Sequence, residues 1–187
     1  MSSKPESLDP SDKSLAESVM SDGDEKAFRV LYRRHTPRLY QFTLRLLAGR
    51  EQDAEDVVQE TWIRATEKLD QFRWESSLGT WLTGIALNLC RMLFRRQDEK
   101  WLEMREDLEL LIHEPNELER IDVENALTRL PSGYRTVLLL HDVEGFTHQQ
   151  IGNQLEVSAN TSKSQLFHAR RALRRMLTPV GSREART

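Results

Sequence analysis

Apolar residues recur at three- and four-residue steps in one segment of this chain after another, the spacing that one face of a helix requires. After Asp24 the set Phe28, Leu31, Tyr32, Leu39, Tyr40, Phe42, Leu46 and Leu47 forms such a face, which Pro37 is expected to bend or interrupt and Gly49 to end. Ala54, Val57, Val58, Thr61, Trp62, Ala65 and Leu69 define the buried side of a second helix. Ile85, Ala86, Leu89, Met92 and Leu93 define that of a third, which finishes in Arg95 and Arg96. The pattern resumes at Leu118, Ile121, Ala126, Leu127 and Leu130, breaks at Pro131-Ser132-Gly133, and continues through Val137, Leu138, Leu140 and Val143 to Gly145. Strand-type alternation is hard to find, and 187 residues contain only 8 glycines and 6 prolines. The fold predicted is all-α, two small helical domains in sequence, which disfavours enzymes built on parallel sheets.

Charge divides the chain further. The net charge of -3 conceals blocks of -5 (residues 1–25), +5 (26–97), -8 (98–124), -1 (125–156) and +6 (157–187), counted from the sequence. Two basic lobes separated by an acidic stretch suggest two polyanion-facing modules and a connector kept off nucleic acid. The organisation expected is a disordered tail over 1–13, a first domain over 14–97, an acidic linker over 98–116, a second domain over 117–178 and a basic tail over 179–187. The longest uncharged stretch, Ser76 to Cys90, is too short and polar to cross a bilayer. Cys90 has no partner for an internal disulfide, and the first residues lack a basic region followed by an apolar run, so a cytoplasmic protein is expected, with no direct membrane insertion.

The strongest local signal lies near the C-terminal end. Thr147-His148-Gln149-Gln150 is a capping box, in which the Thr147 hydroxyl accepts the Gln150 amide and the Gln150 side chain returns to the backbone of Thr147. Ile151, Gly152 and Leu155 then pack inward, with Gly152 allowing close approach of a second helix. A turn at Glu156-Val157 follows, and Ser158 can cap that helix, from about Ala159 to Leu177. This is helix-turn-helix spacing. The inward stripe expected is Ala159, Ser162, Leu166, Ala169, Leu173 and Met176. The outward surface offers Asn160, Lys163, Ser164, Phe167, His168, Arg170, Arg171, Arg174 and Arg175, with no acid anywhere in the helix. Such a surface suits a major groove: Lys163, Ser164, Phe167, His168 and Arg171 toward base edges, Arg170, Arg174 and Arg175 toward phosphates.

The segment EGFTHQQIGNQLEVSANTSKSQLFHARRALRRML resembles the second domain of extracytoplasmic-function (ECF) sigma factors of the sigma-70 family. The upstream run DAEDVVQETWIRATEKLDQFRWESSLGTWLTGIALNLCRMLFRR is similar to that family's first domain, with its acidic, F-R-x-E-S-S and I-A-x-N blocks in order and at family spacing. The resemblance covers about residues 14–178. Four departures bear on the second domain: Glu156 stands where the turn usually has Gly, Ser162 replaces an apolar residue, and Gln165 and His168 replace arginines. In the first, Leu78-Gly79 and Thr83-Gly84 replace more usual aromatic or basic residues.

The resemblance implies a sigma factor, a dissociable subunit that carries core RNA polymerase to specific promoters and assists strand opening, with no catalysis of its own. It implies docking of Asp53, Asp56, Gln59, Glu60, Trp62 and Ile63 on the clamp helices of the largest polymerase subunit, and a further contact with the flap. It places Phe72, Arg73, Trp74, Glu75, Ser76 and Ser77 in a loop that holds a flipped minus-10 base, with Asn88 in reach and Arg91, Arg95 and Arg96 along the phosphates. An unstacked base needs an aromatic wall and hydrogen-bonding groups, and this loop supplies both residue types. Trp74, flanked by charges, is expected to be exposed and Trp81 to be core. The second domain is implied to bind the minus-35 element through Asn160, Lys163, Ser164, Phe167, His168, Arg170, Arg171 and Arg174. An anti-sigma factor is a further partner common in the family, and the acidic linker is expected to thread a basic channel of the polymerase. No cofactor or metal is expected: the five histidines are scattered, and Cys90 lies on the inward side of a helix, the place of an inert thiol. The alternative reading of the residues is an autonomous helix-turn-helix regulator with an N-terminal sensing or dimerisation domain, which would bind duplex DNA without polymerase.

Overall fold

The structure is a computed structural model describing residues 9–96 and 122–178; the acidic linker 98–116, the tail up to residue 8 and the basic tail 179–187 lie outside the described residues. Among the described residues there are α-helices and short 3-10 and π turns, and no strands. Four helices make the first unit: α1 Asp12–Asp22, α2 Glu25–Leu46, α3 Glu51–Lys68 and α4 Leu78–Arg96. Four make the second: α5 Val123–Arg129, α6 Ser132–Leu138, α7 His148–Leu155 and α8 Ala159–Leu177.

In the first unit α2 is the central element, packed against α1, α3 and α4. Asp24 caps it by accepting the amides of Lys26 and Ala27. Leu31, Leu39, Phe42, Leu46 and Leu47 are buried on it, whereas Tyr32 stays exposed. Pro37 does not interrupt the helix. It removes one backbone hydrogen bond, but Leu31 and Leu39 on either side are held in the core, and that packing outweighs the loss. The stripe expected on α3 is buried in full, Ala54, Val57, Val58, Thr61, Trp62, Ala65 and Leu69. The Trp62 indole donates to Thr36 Oγ1 at 2.9 Å, satisfying its one polar atom.

Helix α1 was not anticipated, because its polar composition hides an apolar strip of Leu15 and Ala16. Ser11 caps it, and Arg34 of α2 reaches Asp12 at 2.6 Å, Asp9 at 3.2 Å and the Pro10 carbonyl at 3.1 Å. Residues 9–13 therefore belong with the first unit rather than with a disordered tail. Cys90 is buried, and burial pushes its thiol up to about 12, which makes it an inert core residue.

The second unit packs α8 against α5, α6 and α7. The capping box at Thr147 is formed as the sequence predicts, with Gln150 N donating to Thr147 Oγ1 at 3.2 Å and Thr147 N to Gln150 Oε1 at 2.8 Å. A Cβ on Gly152 would lie 2.7 Å from the Val157 carbonyl oxygen, so this position must be glycine for the turn to close. The turn itself needs a left-handed residue, and Glu156 adopts φ 60, ψ 38 there. That conformation costs a side-chain-bearing residue about 1 kcal/mol or more.

Candidate nucleic-acid interface

Helix α8 separates its two faces cleanly. Ser162, Gln165, Leu166, Ala169, Ala172 and Met176 are buried, while Asn160, Lys163, Ser164, Phe167, Arg170, Arg171 and Arg174 are exposed. Phe167 is 63% exposed, a large apolar ring left in solvent on a basic helix. These exposed positions fall at three-, four- and seven-residue steps, so they form one continuous stripe. His168 is half-buried, its ring against Phe167 at 5.4 Å and Tyr134 at 6.2 Å, so it stands at the edge of that stripe. Arg170 is held by Asp142 through two bonds of 2.6 and 3.0 Å, and that guanidinium holds the Asp142 carboxyl below its ordinary range.

Two of the departures in this helix fall on its buried side. Gln165 is buried, so the change from arginine takes no charge from the outward stripe. Ser162 is buried too, but its hydroxyl bonds His148 Nδ1 at 3.0 Å, which offsets part of the lost apolar packing. His148 stacks on His141 at 4.5 Å. Burial, with His141, Lys163 and Arg170 nearby and Asp142 opposing, keeps His148 below the usual imidazole range.

In the first unit the loop after the 3-10 turn Leu69–Gln71 is an aromatic cluster. Phe72 stacks on Trp81 at 4.7 Å and meets Trp74 at the same distance, so Trp74 is half-buried rather than exposed, and Trp81 is half-buried rather than fully core. Trp74 reaches this position with φ 59, a left-handed backbone that no glycine signals in the sequence. Arg73, Glu75 and Ser77 are exposed, and Ser77 caps α4 by accepting the Thr80 amide at 3.1 Å. Ser76, Trp81 and Asn88 line a cavity of about 340 Å³ whose opposite wall is Phe146, Gln150, Asn153 and Gln154 of the second unit. Arg95 is exposed. Arg91 is not available to phosphates: it is 8% exposed and donates to the Gln154 carbonyl at 2.7 Å and to Glu156 Oε1 at 3.1 Å.

On α3, Asp56, Gln59 and Ile63 are exposed and Asp53 and Glu60 half-buried, sharing one side of the helix. Asp53 pairs with Arg50 at 3.3 Å and Glu60 with Arg64 at 2.7 Å. Trp62 does not join them, being 6% exposed in the core. Exposed Tyr32, whose ring lies 5.3 Å from that of Trp62, is a residue the periodicity assigned inward; its position beside α3 had no signal in the sequence. Among the described residues no cluster of three metal-binding side chains occurs, and no helix is long and apolar enough to cross a membrane.

Residues 31–100 match the Sigma-70 region 2 family and residues 120–173 the Sigma-70, region 4 family. The ECF RNA polymerase sigma factor SigE of Mycolicibacterium smegmatis is 31% identical over 193 residues, covering 96% of this chain and 74% of the relative. Two solved structures are similar. One is the sigma factor RpoE from Bartonella quintana in complex with the anti-sigma factor NepR, at TM-score 0.61 and 26% identity over 81% of this chain and 97% of that one. The other is CnrH in complex with the cytosolic domain of CnrY, at 0.59 and 29% over 94% and 99%. With both domains matched in order and a relative of this identity across most of its length, the chain belongs to the ECF sigma factors of the sigma-70 family, non-enzymatic subunits that direct RNA polymerase to specific promoters for transcription initiation.

Proposed function

We propose a division of labour between three surfaces. The acidic side of α3, Asp53, Asp56, Gln59, Glu60 and Ile63, docks on the clamp helices of the polymerase's largest subunit. The loop Phe72–Ser77, with Asn88 and Arg95, receives an unstacked base of the minus-10 element. The stripe Asn160, Lys163, Ser164, Phe167, Arg171 and Arg174 enters the major groove of the minus-35 element, with His168 and Arg170 at its margin, and the second unit meets the flap. The single observation that carries this reading is the acid-free, outward stripe of α8 in a closed helix-turn-helix. Its N-terminal polar side chains suit base edges and its later arginines suit phosphates.

Two of the similar structures are complexes, one with an anti-sigma factor and one with the cytosolic domain of CnrY, and the first supports an anti-sigma partner for this chain too. The protein works in the cytoplasm, where core polymerase is found. The test is co-purification with core RNA polymerase followed by run-off transcription on genomic fragments. Specific transcripts that require the protein support the reading. Tight, specific duplex binding without polymerase and no transcript would favour the autonomous regulator instead.

A further inference from the structure

Phe167 is the large apolar side chain on the outward stripe of α8, and at 63% it is the most exposed large hydrophobic among the described residues. A single apolar side chain in solvent is ordinary. This one differs in where it stands and in how it is held. Lys163, Ser164, Arg170 and Arg171 lie three and four residues to either side, so polar and basic groups flank the ring along the helix. Arg170 is itself fixed by Asp142.

The ring is also backed from the core. Its centroid lies 5.4 Å from that of His168 at 80°, edge to face, and half-buried His168 meets Tyr134 at 6.2 Å and 64°. Tyr134 is 6% exposed on α6. Three rings in series therefore connect the core of the second unit to its outward stripe, and edge-to-face contacts restrict how each can turn. Along the helix axis Phe167 is about 10 Å beyond Asn160, at 1.5 Å per residue. That is the rise of about three base pairs at 3.4 Å each, so with Asn160 seated in a groove the ring still lies over base edges.

A phenyl ring carries no donor or acceptor, which decides what it can read. In the major groove guanine presents N7 and O6, adenine N7 and an amine, and cytosine an amine, whereas thymine alone presents a methyl group. Against the first three the ring would displace water from a polar edge and replace none of its hydrogen bonds. Against the methyl it gains apolar contact.

We infer that Phe167 is a thymine reader, contacting the 5-methyl group of one thymine in the minus-35 element, and that His168, backed by Tyr134, is the positioning residue that holds its ring. This rests on the reading that α8 enters the major groove of that element. The contact is apolar, so its share of the affinity does not vary with salt, unlike that of the flanking arginines.

The experiment uses holoenzyme assembled from core RNA polymerase and the full chain, on a duplex recovered from a pool randomised upstream of the transcription start. Each thymine of the recovered minus-35 region, on either strand, is replaced in turn by deoxyuridine, which lacks only the methyl. Wild type should lose about fourfold in affinity at one position, the worth of one buried methyl group, by the same factor at every salt concentration. Phe167→Ala changes an exposed residue and should melt as wild type does, but it should lose nothing further at that position. His168→Ala should shrink the loss there, and His168→Phe, which keeps a ring between Tyr134 and Phe167, should restore it.

A recovered region with no shared thymine, a wild type indifferent to every deoxyuridine, or a loss that persists in Phe167→Ala would overturn the thymine contact. A loss of full size in His168→Ala would overturn the positioning role. Lys163→Ala and Arg174→Ala, measured in parallel, distinguish this from failure of the wider reading. If they weaken promoter binding while no methyl depends on Phe167, the thymine reader alone falls; if they too change nothing, the major-groove assignment of α8 falls with it.

Discussion

The two surfaces assigned to promoter DNA differ in how they are made. The stripe on α8 is one face of a regular helix, set by a capping box and a glycine turn, and it stands in solvent as built. The surface around Phe72–Ser77 and Asn88 comes from an irregular loop, an off-pattern Trp74 and a helix that shares a cavity with the second unit. Periodicity therefore specifies the first surface almost completely, whereas the second depends on contacts between residues far apart in sequence. Under the proposed assignment the contrast also separates two kinds of work: α8 meets duplex DNA as it is, and the loop acts only once a base has left its stack.

Gly152→Val should have the largest effect and would isolate the second unit. Its side chain would need the space of the Val157 carbonyl, a backbone atom with no freedom to yield. A loss of about 3 kcal/mol is expected, seen as early thermal melting of the second unit while the first melts as before. An unshifted melt would mean that the turn is not closed as described.

Within α8, Lys163→Ala should change which base is preferred at a cost of about 1 to 3 kcal/mol, whereas Arg174→Ala should weaken all sites alike and flatten the salt dependence by about one unit. Holoenzyme affinity across a minus-35 substitution set at several salt concentrations distinguishes the two. Uniform weakening by Lys163→Ala would move that residue to the phosphate group.

For the loop, Trp74→Gly is sharper than an alanine change, because glycine accepts φ 59 without strain and the fold is spared that penalty. It should cost the open complex about 1 to 2 kcal/mol through lost stacking and leave the closed complex near normal, as read by permanganate reactivity. Normal opening would remove Trp74 from the base-holding wall and leave it as packing for Phe72.

The smallest effect concerns pH. The folded state holds His148 below its usual range, so the unfolded chain takes up a proton there first as pH falls. Stability from this group is full above about pH 6.5 and declines below it. Melting of the second unit from pH 7.5 to 5.5 should thus fall more steeply in wild type than in His148→Gln. Parallel curves would show that the stack with His141 and the bond to Ser162 carry no such linkage.

Much of this fold is legible along the chain: the buried stripes of α3 and α8, the Thr147 box and the need for Gly152 all follow from local spacing and caps. What escaped has a physical reason in each case. Helix α1 shows few apolar residues and is held instead by Arg34, 22 positions from Asp12. Trp74 turns left-handed without glycine, so no turn residue announces it. Gln165 lies one position before the central core residue Leu166 and is itself buried, although the expected inward stripe did not include it. Arg91 and Glu156 are 65 positions apart, and nothing in either neighbourhood records the other. Trp62 fits the core stripe by periodicity and the docking face by resemblance; the structure places it in the core.

The division of labour between the two surfaces is tested most directly by a permanganate footprint of one promoter, taken with holoenzyme carrying wild type, Lys163→Ala or Asn88→Ala at matched closed-complex occupancy, together with the occupancy titration itself. The account predicts that Lys163→Ala needs more protein to fill the site but opens it normally once filled, and that Asn88→Ala fills it normally but leaves its thymines protected. Identical defects in the two variants, in occupancy or in opening, would contradict it.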